Sequence, residues 1–584
     1  MHNVIYGHQI NPENRIANHL QALSGIKHFS RREPVAPRPA EPITLTVTTS
    51  GAVSFEEILA WYTLNDQHPA TCILKPVGVH WDQPSWDYVR TWQGQIPGQP
   101  EGSILRYRIA GRVTGTDCWV YADSQAQDPE NATDFAVYIG DPAAPAWTQK
   151  AILYHIYLDR FNPGQGRPWH STQSVNDFYG GTLIGVIEKL DYLHALGINT
   201  LWLSPLFASP THHGYDPTDL FIVEPRLGTN ADLMCLIESV HARGMRLLLD
   251  FVPNHWSNEH PTFREAQSNP DSPYRDWYLW RNYPDEYEAF FDVKTMPKIN
   301  LRHGSPARAH LLEAAQYWLE RGVDGYRLDH ADGPAHDFWA DFRRACQQVN
   351  PDCWLFGEVV KPPPIQRAFY GSLHGQLDFA LARALRETFA LQNWNLTQFD
   401  TFLSAHESYF PPGFSRPSFL DNHDMNRFLA LAGNDLNRLK LAALVLFTLP
   451  GPPIVYYGTE AGLSQRKFIK EGLGFDEARL PMLWNDAQNT GLVEYFRTLI
   501  HLRAAQAHLY ERHTLMLNPD AVLYAYTPAP HILIALNTSP ESRKVLVAAT
   551  LPESAQDRLN GSPVQHHGDQ IEILLSPETG AFIL

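Results

Sequence analysis

The chain has few cysteines, no excess of positive charge and no long apolar run. Its five Cys residues are too few and too odd in number for a disulfide framework, and no CxxC pair suggests a zinc site. With 46 Lys and Arg against 63 Asp and Glu, the net charge of −17 would repel a phosphate backbone, so we expect no nucleic acid partner. No apolar stretch reaches the roughly 18 residues of a membrane span, and residues 1–30 contain no signal-peptide run. These absences predict a cytoplasmic protein without membrane contact.

What the chain does contain is ordinary globular composition with many aromatic rings. Hydrophobic residues make up 44% and charged residues 19% of the 584 positions, which argues against wholesale disorder. At about 100–200 residues per domain, the length predicts several domains. The 16 Trp residues are the unusual number. Most of these rings should pack in a core, but flat apolar faces rimmed by polar groups also line sugar-binding clefts.

The two ends of the chain have a β pattern. Residues 1–42 are polar and close with the Pro-rich VAPRPAEP, which predicts a lead-in arm. Over 43–147, short alternating runs such as ITLTVTT and SILRYRI are separated by turn residues, which predicts an N-terminal β-sandwich. Residues 505–584 return to this pattern in AVLYAYT and HILIALNT, which predicts a C-terminal β-sandwich.

Between residues 148 and 504, buried-strand runs alternate with helical segments. The eight runs are ILYHIYL, NTLWLS, RLLLDFV, DGYRLD, CWLFGE, QLDFA, PSFLDNHD and PIVYY. This alternation predicts an α/β fold, a (β/α)8 TIM barrel, with an inserted domain after barrel strand 3 at about 254–302. A doubly wound sheet would show a similar alternation. However, no GxGxxG follows a strand and no GxxxxGK[ST] is present, so nucleotide binding has no support.

Charged side chains follow the predicted strands. In a barrel of this kind, catalytic residues sit at the carboxyl ends of the strands. Four carboxylates and three basic residues occupy those ends: Asp250, Asp329, Glu358, Asp424, Arg327, His255 and His423. Such a cluster suits two chemistries. It could hold Mg²⁺ or Ca²⁺ through hard oxygen ligands, or it could cleave a glycosidic bond, which needs one protonated carboxyl group and one carboxylate.

Short motifs around these residues resemble the α-amylase superfamily of glycoside hydrolases. DFVPNH, GYRLD, FGEV and FLDNHD are similar to its four signature regions and come in the same order. MPKIN (296–300) resembles the MPKLN of the neopullulanase, cyclomaltodextrinase and maltogenic amylase subgroup, whose members also carry an N-terminal β-sandwich. The resemblance implies a retaining hydrolase that cleaves α-1,4-glucosidic bonds, and in some members α-1,6 bonds, through a covalent glucosyl-enzyme intermediate. Its substrates would be malto-oligosaccharides, cyclodextrins or pullulan.

The resemblance also implies roles for single residues. Asp329 would be the nucleophile, Glu358 the general acid/base, and Asp424 a third carboxylate that stabilises the transition state. Six more residues would bind the sugar or shape its site: Tyr215, His255, Arg327, His423, Asp250 and Arg427. Arg327 lies two residues before Asp329 on one strand, so we expect its charge to keep Asp329 ionised. Glu358 has no basic neighbour in FGEVV, and its apolar flanks should favour the protonated form that an acid catalyst needs.

Three departures from the subgroup concern calcium and the acceptor side of the cleft. DRFNPGQGRPWHS, after the first strand, lacks the Asn/Asp-rich run associated with calcium, so we expect no metal and no cofactor. HADG (330–333) stands where the subgroup usually has VANE, so Gly333 replaces an acid associated with acceptor binding. GEVVKPPP lacks the Trp that commonly follows the acid/base. A weakened acceptor side predicts mainly hydrolysis, with minor transfer to sugars.

Other readings of the same residues stay open. A 4-α-glucanotransferase would use the same intermediate with a sugar acceptor in place of water. A non-catalytic barrel used as a scaffold or binding protein occurs within the superfamily, but such proteins typically lose catalytic acids, and all three are present here. The resemblance further suggests a homodimer. The aromatic run HWDQPSWDYVRTW (80–92) could supply its surface, although the favoured interpretation places most of these rings in the sandwich core.

Overall fold

The structure is a computed structural model that describes residues 12–51, 53–469, 476–506 and 512–584. The first eleven residues of the predicted arm lie outside this range. Within these ranges, no helix has both the length and the apolar character needed to cross a bilayer.

Two antiparallel sheets that share one strand form the N-terminal sandwich. The long strand Gln67–Asp82 pairs with Phe55–Leu64 over its first half and with Asp87–Ile96 over its second half. The remaining long strands are Ile43–Ser50 and Ile104–Val113, and shorter ones lie at Trp119–Tyr121 and Phe135–Tyr138. Inward-facing side chains of both sheets form one core, among them Leu45, Val47, Ile58, Leu74, Trp92 and Ile109. The predicted sandwich is therefore present, with two strands between 67 and 96 that the sequence pattern did not indicate.

The segment before residue 43 is ordered and belongs to this sandwich. It contains the helix Pro12–Leu23 and two short strands, Ile26–Lys27 and Arg32–Glu33, that pair with Ile43–Ser50. Arg32 is buried and donates from Nη2 to the carbonyl oxygens of Ala368 and Tyr370 on the barrel, at 3.4 and 3.3 Å. The described part of this segment differs from the predicted lead-in arm, because a strand partner and a buried guanidinium anchor it.

Eight parallel strands form the predicted TIM barrel. In sheet order they are Gly375–Gln376, Trp354–Gly357, Gly325–Leu328, Arg246–Phe251, Thr200–Leu203, Leu153–Ile156, Pro453–Tyr456 and Ser418–Phe419. Backbone hydrogen bonds between residues 374–378 and 415–417 close the barrel between the sixth and seventh strands. Gly375 allows this closure, since a Cβ atom there would lie 1.8 Å from the Ser415 carbonyl oxygen.

Helices surround the barrel and end where their sequence signals place them. The barrel helices are Leu183–Glu188, Leu190–Leu196, Asn230–His241, Pro306–Glu320, His336–Val349, Pro363–Arg367, Phe379–Leu385, Leu396–Tyr409, Phe428–Leu431, Leu436–Thr448 and Thr490–Ala504. The helix Asn230–His241 begins with a capping box at Thr229. Its buried residues recur every three or four positions, as expected for one face of a helix. The predicted run QLDFA is a strand only at Gln376, because Asp378 caps the helix that starts at Phe379.

Two smaller units complete the molecule. The insertion after barrel strand 3 contains the helix Pro261–Ser268 and the short strands Trp280–Asn282 and Glu286–Tyr287. The C-terminal sandwich packs one sheet of four strands, His513–Leu517, Leu523–Ala529, Ile532–Asn537 and Thr579–Ile583, against three others, Arg543–Ala548, Val564–His567 and Gln570–Leu575. Its core lies between the two sheets, with Leu533, Val545 and Ile573 among the buried residues.

A buried charge network joins the N-terminal sandwich to the barrel. Arg106 of the sandwich contacts Asp341 on the helix His336–Val349, with 2.5 Å from Nη2 to Oδ1. Arg308 of the preceding barrel helix holds the other oxygen of Asp341 at 2.6 Å and also Asp337 at 2.6 Å. The Arg308 side chain is 3% exposed. Arg106 thus adds a charge from the sandwich to an ion-pair cluster of the barrel, and Asp341 is the residue that both guanidinium groups contact.

Candidate active site

The barrel ladders set the positions of the candidate catalytic carboxylates. Asp250 lies within the third strand, and Asp329 and Glu358 directly follow the fourth and fifth strands. The Asp329 amide donates to the Phe251 carbonyl and the Glu358 amide to the Leu328 carbonyl, both at 2.9 Å. Since hydrogen bonding continues to these residues, their side chains are held at one level of the rim. Asp424 follows the seventh strand by five residues and joins them from a loop.

One guanidinium contacts three of these carboxylates. Arg327 Nη1 lies 2.7 Å from Asp250 Oδ1 and 2.9 Å from Asp329 Oδ1, and its Nη2 lies 2.7 Å from Glu358 Oε1. Arg327 is fully buried. Glu358 has no basic neighbour within FGEVV, but it has one in space. The neighbours of Glu358 along the chain are apolar. Arg327 contacts Glu358 from the adjacent strand, because the ladder pairs Arg327 with Phe356, two residues before Glu358.

Burial and neighbouring carboxylates raise the proton affinity of Asp329 and Asp250. Burial raises the pKa of Asp329 well above its usual value; Arg327 opposes this shift, whereas Glu358, Asp250 and Asp424 add to it. Burial likewise raises the pKa of Asp250 to about 6, again opposed by Arg327. The expectation that Arg327 keeps Asp329 ionised did not include the effect of the other carboxylates near Asp329. In the structure Arg327 is shared among three acids, so the cluster favours holding a proton.

Asp424 has its own basic partners and behaves differently. Its Oδ2 lies 2.9 Å from His423 Nε2 and its Oδ1 2.9 Å from Arg479 Nη2. Although burial opposes it, these two groups lower the pKa of Asp424, so this carboxylate stays ionised. Arg479 also donates to the His423 carbonyl oxygen at 2.9 Å. Sequence reasoning missed Arg479, which lies 55 residues downstream in a stretch without strand or helix periodicity.

Tyr215 and two histidines border the same cleft. The Tyr215 hydroxyl donates to Asp250 Oδ2 at 3.0 Å and lies 2.6 Å from His423 Nε2, and the Tyr215 and His423 rings are parallel with centroids 5.3 Å apart. His255 contacts the Tyr215 carbonyl oxygen through Nε2 at 3.0 Å and the Asn254 amide through Nδ1 at 3.1 Å. Burial lowers the pKa of His255 to about 3, so its ring is neutral. The structure thus brings these predicted site residues together around the carboxylates.

Arg427 is placed differently from the substrate-binding role expected for it. Its side chain is fully buried, and it donates to the carbonyl oxygens of Tyr457 at 2.6 Å and Ala478 at 3.0 Å. Its guanidinium also lies over the Tyr456 ring, 4.0 Å from the centroid. In this position Arg427 supports the loop that carries Arg479. The sequence offered no means of telling an arginine that holds a loop from one that faces a sugar.

In the loop after the first barrel strand, where the subgroup often binds calcium, the side-chain and carbonyl oxygen atoms accept hydrogen bonds from the protein itself. Asp159 accepts from the amides of Tyr179 and Gly180 and lies 2.7 Å from Arg160 Nε. The Arg160 guanidinium also donates to the carbonyl oxygens of Val175 and Asp177, at 2.7 and 3.0 Å. Among the residues that the structure covers, no group of three or more His, Cys, Asp or Glu is arranged to hold a metal ion. These residues do not fit calcium, since the Arg160 guanidinium binds the oxygen atoms that a calcium ion would need as ligands.

Comparison with known proteins gives one consistent result. Residues 155–508 match the family model described as the α-amylase catalytic domain. "Alpha-amylase 2" of Dictyoglomus thermophilum is 38% identical over 68% of this chain and 70% of its own length. "Neopullulanase 2" of Thermoactinomyces vulgaris is 32% identical over 75% of this chain and 78% of its own. A solved cyclomaltodextrinase covers 96% of this chain and 99% of its own with a TM-score of 0.70; at 24% identity it supports the fold alone.

Proposed function

The chain belongs to the α-amylase family, and on that premise we propose that it hydrolyses α-1,4-glucosidic bonds with retention of configuration. As an α-glucan glycosidase of the cyclomaltodextrinase and neopullulanase type, it would act on malto-oligosaccharides, cyclodextrins or pullulan, with α-1,6 bonds as a second linkage to be tested. The observation that carries this proposal is the guanidinium of Arg327, which contacts Asp329 and Glu358 with different nitrogen atoms. Two carboxyl groups that contact the same guanidinium are held close together, which favours the carboxyl–carboxyl separation of about 5–5.5 Å typical of retaining enzymes.

The first step would form a bond between an Asp329 carboxylate oxygen and the anomeric carbon of the sugar. As that bond forms, the glycosidic C–O bond breaks, and Glu358 gives its proton to the departing oxygen. In the second step water attacks the anomeric carbon, passes a proton to Glu358, and releases the Asp329 carboxylate. Arg327 contacts both acids, and the starting state of the reaction would carry the proton on Glu358 and the negative charge on Asp329.

The remaining polar groups would hold the sugar during both steps. Asp424 is kept ionised by His423 and Arg479, so it can accept hydrogen bonds from two sugar hydroxyls and favour positive charge at the anomeric carbon. Tyr215 offers a ring face beside His423, which suits the apolar face of a pyranose. These contacts stay the same whether water or a second sugar ends the reaction.

Two variants with one activated substrate test the roles directly. Fluoride leaves α-maltosyl fluoride without needing a proton, so Glu358→Gln should complete the first step, and mass spectrometry should detect a maltosyl adduct. Asp329→Asn, the matched control, should give no adduct. For the wild type acting on maltotriose, NMR should show the α-anomer first. β-Product at the earliest times, or an adduct in Asp329→Asn, would overturn the proposal. Longer oligomers as the main early product would favour the glucanotransferase.

The exposed rings of the N-terminal sandwich suggest association of two copies. In the hairpin formed by residues 75–93, Trp81, Trp86 and Tyr88 are 42%, 72% and 59% exposed, and only Trp92 reaches the core. The alternative that most of these rings are core is therefore wrong. The Trp81 ring contacts the rings of Trp86 and Tyr88 edge to face, so the three form one exposed apolar patch, a feature that often marks a protein–protein contact. We assign this patch to a homodimer contact; the cytoplasmic location stays a prediction.

A further inference from the structure

Residues 420–426 form a buried loop that carries His423 and Asp424. All seven residues are buried, yet none of them belongs to a strand or a helix. Within the loop, the Asp424 amide donates to Asn422 Oδ1 at 2.9 Å. Buried backbone carbonyl groups need hydrogen-bond donors, which here do not come from a strand ladder. The shape of this loop, and with it the place of Asp424, therefore depends on side chains from other parts of the barrel.

Arg386 supplies donors to both ends of this loop. Its Nη1 donates to the carbonyl oxygen of Leu420 at 3.1 Å and to that of Asn426 at 2.8 Å. The same nitrogen lies 3.3 Å from the Met425 Sδ atom. Arg386 is fully buried, and burial lowers its pKa to about 10, with Asp421 opposing the shift. A buried guanidinium that is still charged at neutral pH thus bridges the two ends of the loop.

A rare kind of helical turn places Arg386 beside the loop. The helix Phe379–Leu385 continues into a π-helical turn at Arg386–Ala390, in which the Leu391 amide donates to the Arg386 carbonyl oxygen at 2.9 Å. Such turns are uncommon, and they are frequently found at functional sites. The turn begins at the residue that bridges the loop, which indicates a role for Arg386 beyond packing.

The place of Asp424 matters because its charge must lie close to the anomeric carbon. His423 and Arg479 hold its carboxylate, each at 2.9 Å. Arg386 instead contacts the loop through two backbone oxygens and a sulfur atom, so it would act on Asp424 through the loop. Gln465 supports the same loop independently, since its Nε2 donates to Asn426 Oδ1 at 2.7 Å. The loop therefore keeps one support when Arg386 is replaced.

We propose that Arg386 is a positioning residue for Asp424, which holds the loop 420–426 so that this carboxylate meets the positive charge that develops at the anomeric carbon. This inference rests on the proposed function. Because that charge develops only in the transition state, loss of Arg386 should lower kcat more than it raises KM. A role in stability alone would lower the melting temperature without this dependence on Asp424.

A double-mutant cycle with α-maltosyl fluoride tests whether Arg386 acts through Asp424. With Asp424 present, Arg386→Lys should lower kcat about 10- to 100-fold, since misplacing a catalytic group by about 1 Å costs up to this much. In an Asp424→Asn background, the same change should lower kcat by at most about twofold, because the group that Arg386 positions is already lost. Equal losses in the two backgrounds, or no loss with Asp424 present, would overturn the proposal.

Arg503→Lys is the matched control. Arg503 is also buried and donates to three backbone carbonyl oxygens outside the loop, those of Phe447, Leu449 and Gly451, at 2.8, 3.0 and 2.5 Å. Its replacement should lower the melting temperature and leave kcat within about twofold in both backgrounds. A loss for Arg503→Lys that also disappears in the Asp424→Asn background would show that the cycle reports general loosening, and would overturn the proposal.

A second variant guards against a failure to fold. Arg386→Gln keeps a donor without the charge, and its loss of kcat should also disappear in the Asp424→Asn background. If neither Arg386 variant folds, Arg386 serves stability and the proposal fails. An Asp424→Asn enzyme as active as the wild type would instead refute the role of Asp424 in the proposed function, so the two failures differ.

Discussion

Replacing Arg327 by Gln removes the positive charge that Asp329 and Glu358 share. Burial and the neighbouring acids already raise the pKa of Asp329, and Arg327 opposes that shift from 2.9 Å. Without Arg327 the pKa of Asp329 rises further, so the ionised nucleophile forms only at higher pH. An opposite charge at this range lowers a carboxyl pKa by about 1–3 units. We therefore expect the acid limb of the activity profile to move upward by about 1–3 pH units.

The assay is kcat/KM against pH with α-maltosyl fluoride. Because fluoride needs no protonation, the acid limb reports the nucleophile rather than the acid. Below the new pKa, a shift of about 1–3 pH units corresponds to a 10- to 1000-fold loss, or about 1.4–4 kcal/mol of transition-state stabilisation. Arg327→Lys keeps the positive charge but cannot contact Asp329 and Glu358 with two separate nitrogen atoms. Its acid limb should therefore move by less than that of Arg327→Gln.

Arg343→Gln is the matched control for this experiment. Arg343 is equally buried, but it donates to the carbonyl oxygens of Gly371 and Asp141, at 3.0 and 2.5 Å. Its loss should lower the melting temperature and leave the acid limb in place. A folded Arg327→Gln whose acid limb matches the wild type would refute the reasoning. If Arg327→Gln does not fold, the profile of Arg327→Lys decides.

Three further predictions concern metal, assembly and the domain junction. EDTA should leave activity and melting temperature nearly unchanged, and a large fall reversed by calcium would contradict the structure. Sedimentation should show a dimer that becomes a monomer when the exposed Trp residues of 75–93 are replaced by Ser; a monomeric wild type would refute this contact. Asp341→Asn leaves Arg308 and Arg106 short of a partner, so it should lower the free energy of unfolding by about 3–5 kcal/mol in urea titration. The control is Asp66→Asn, because the Asp66 side chain is 42% exposed where it pairs with Arg106. It should cost at most about 1 kcal/mol, and equal losses in the two variants would contradict a buried network.

Strand and helix patterns predicted most of the architecture, because buried strands and helix faces appear in the sequence as local patterns of apolar residues. The barrel and both sandwiches are confirmed, since each buried strand is a short apolar run between turn signals. The strand Gln67–Asp82 was missed because most of its residues are exposed, whereas Asp87–Ile96 does alternate but has Gly94 at one of its buried positions, which weakens the apolar pattern. The short strands before residue 43 were missed for a related reason. Two-residue strands depend on their partner, which no local pattern reveals.

The site was predictable as a set of residues but not as a set of contacts. Spacing along one strand predicted Arg327 beside Asp329, yet its contact with Glu358 could be found only from the register of two adjacent strands. Arg479 and Arg427 are the opposite case, since Arg479 ends a short 3-10 helix and Arg427 precedes a four-residue helix, and elements this short have no periodicity to fix their position. The structure therefore gives Arg479 the carboxylate contact and Arg427 the supporting role. Charge sharing, which sets proton affinities, needs distances in space.

The junction between the N-terminal sandwich and the barrel also bears on how the chain is assembled. Arg106 and Asp341 are 235 residues apart, so this contact closes a very long loop. During synthesis the sandwich emerges first and has its own apolar core, while the helix that carries Asp341 does not yet exist. Within the sandwich Arg106 has one carboxylate partner, Asp66 at 2.8 Å, and its second, Asp341, comes only with the barrel. Docking of the barrel therefore completes a charge pairing that the sandwich by itself leaves half made.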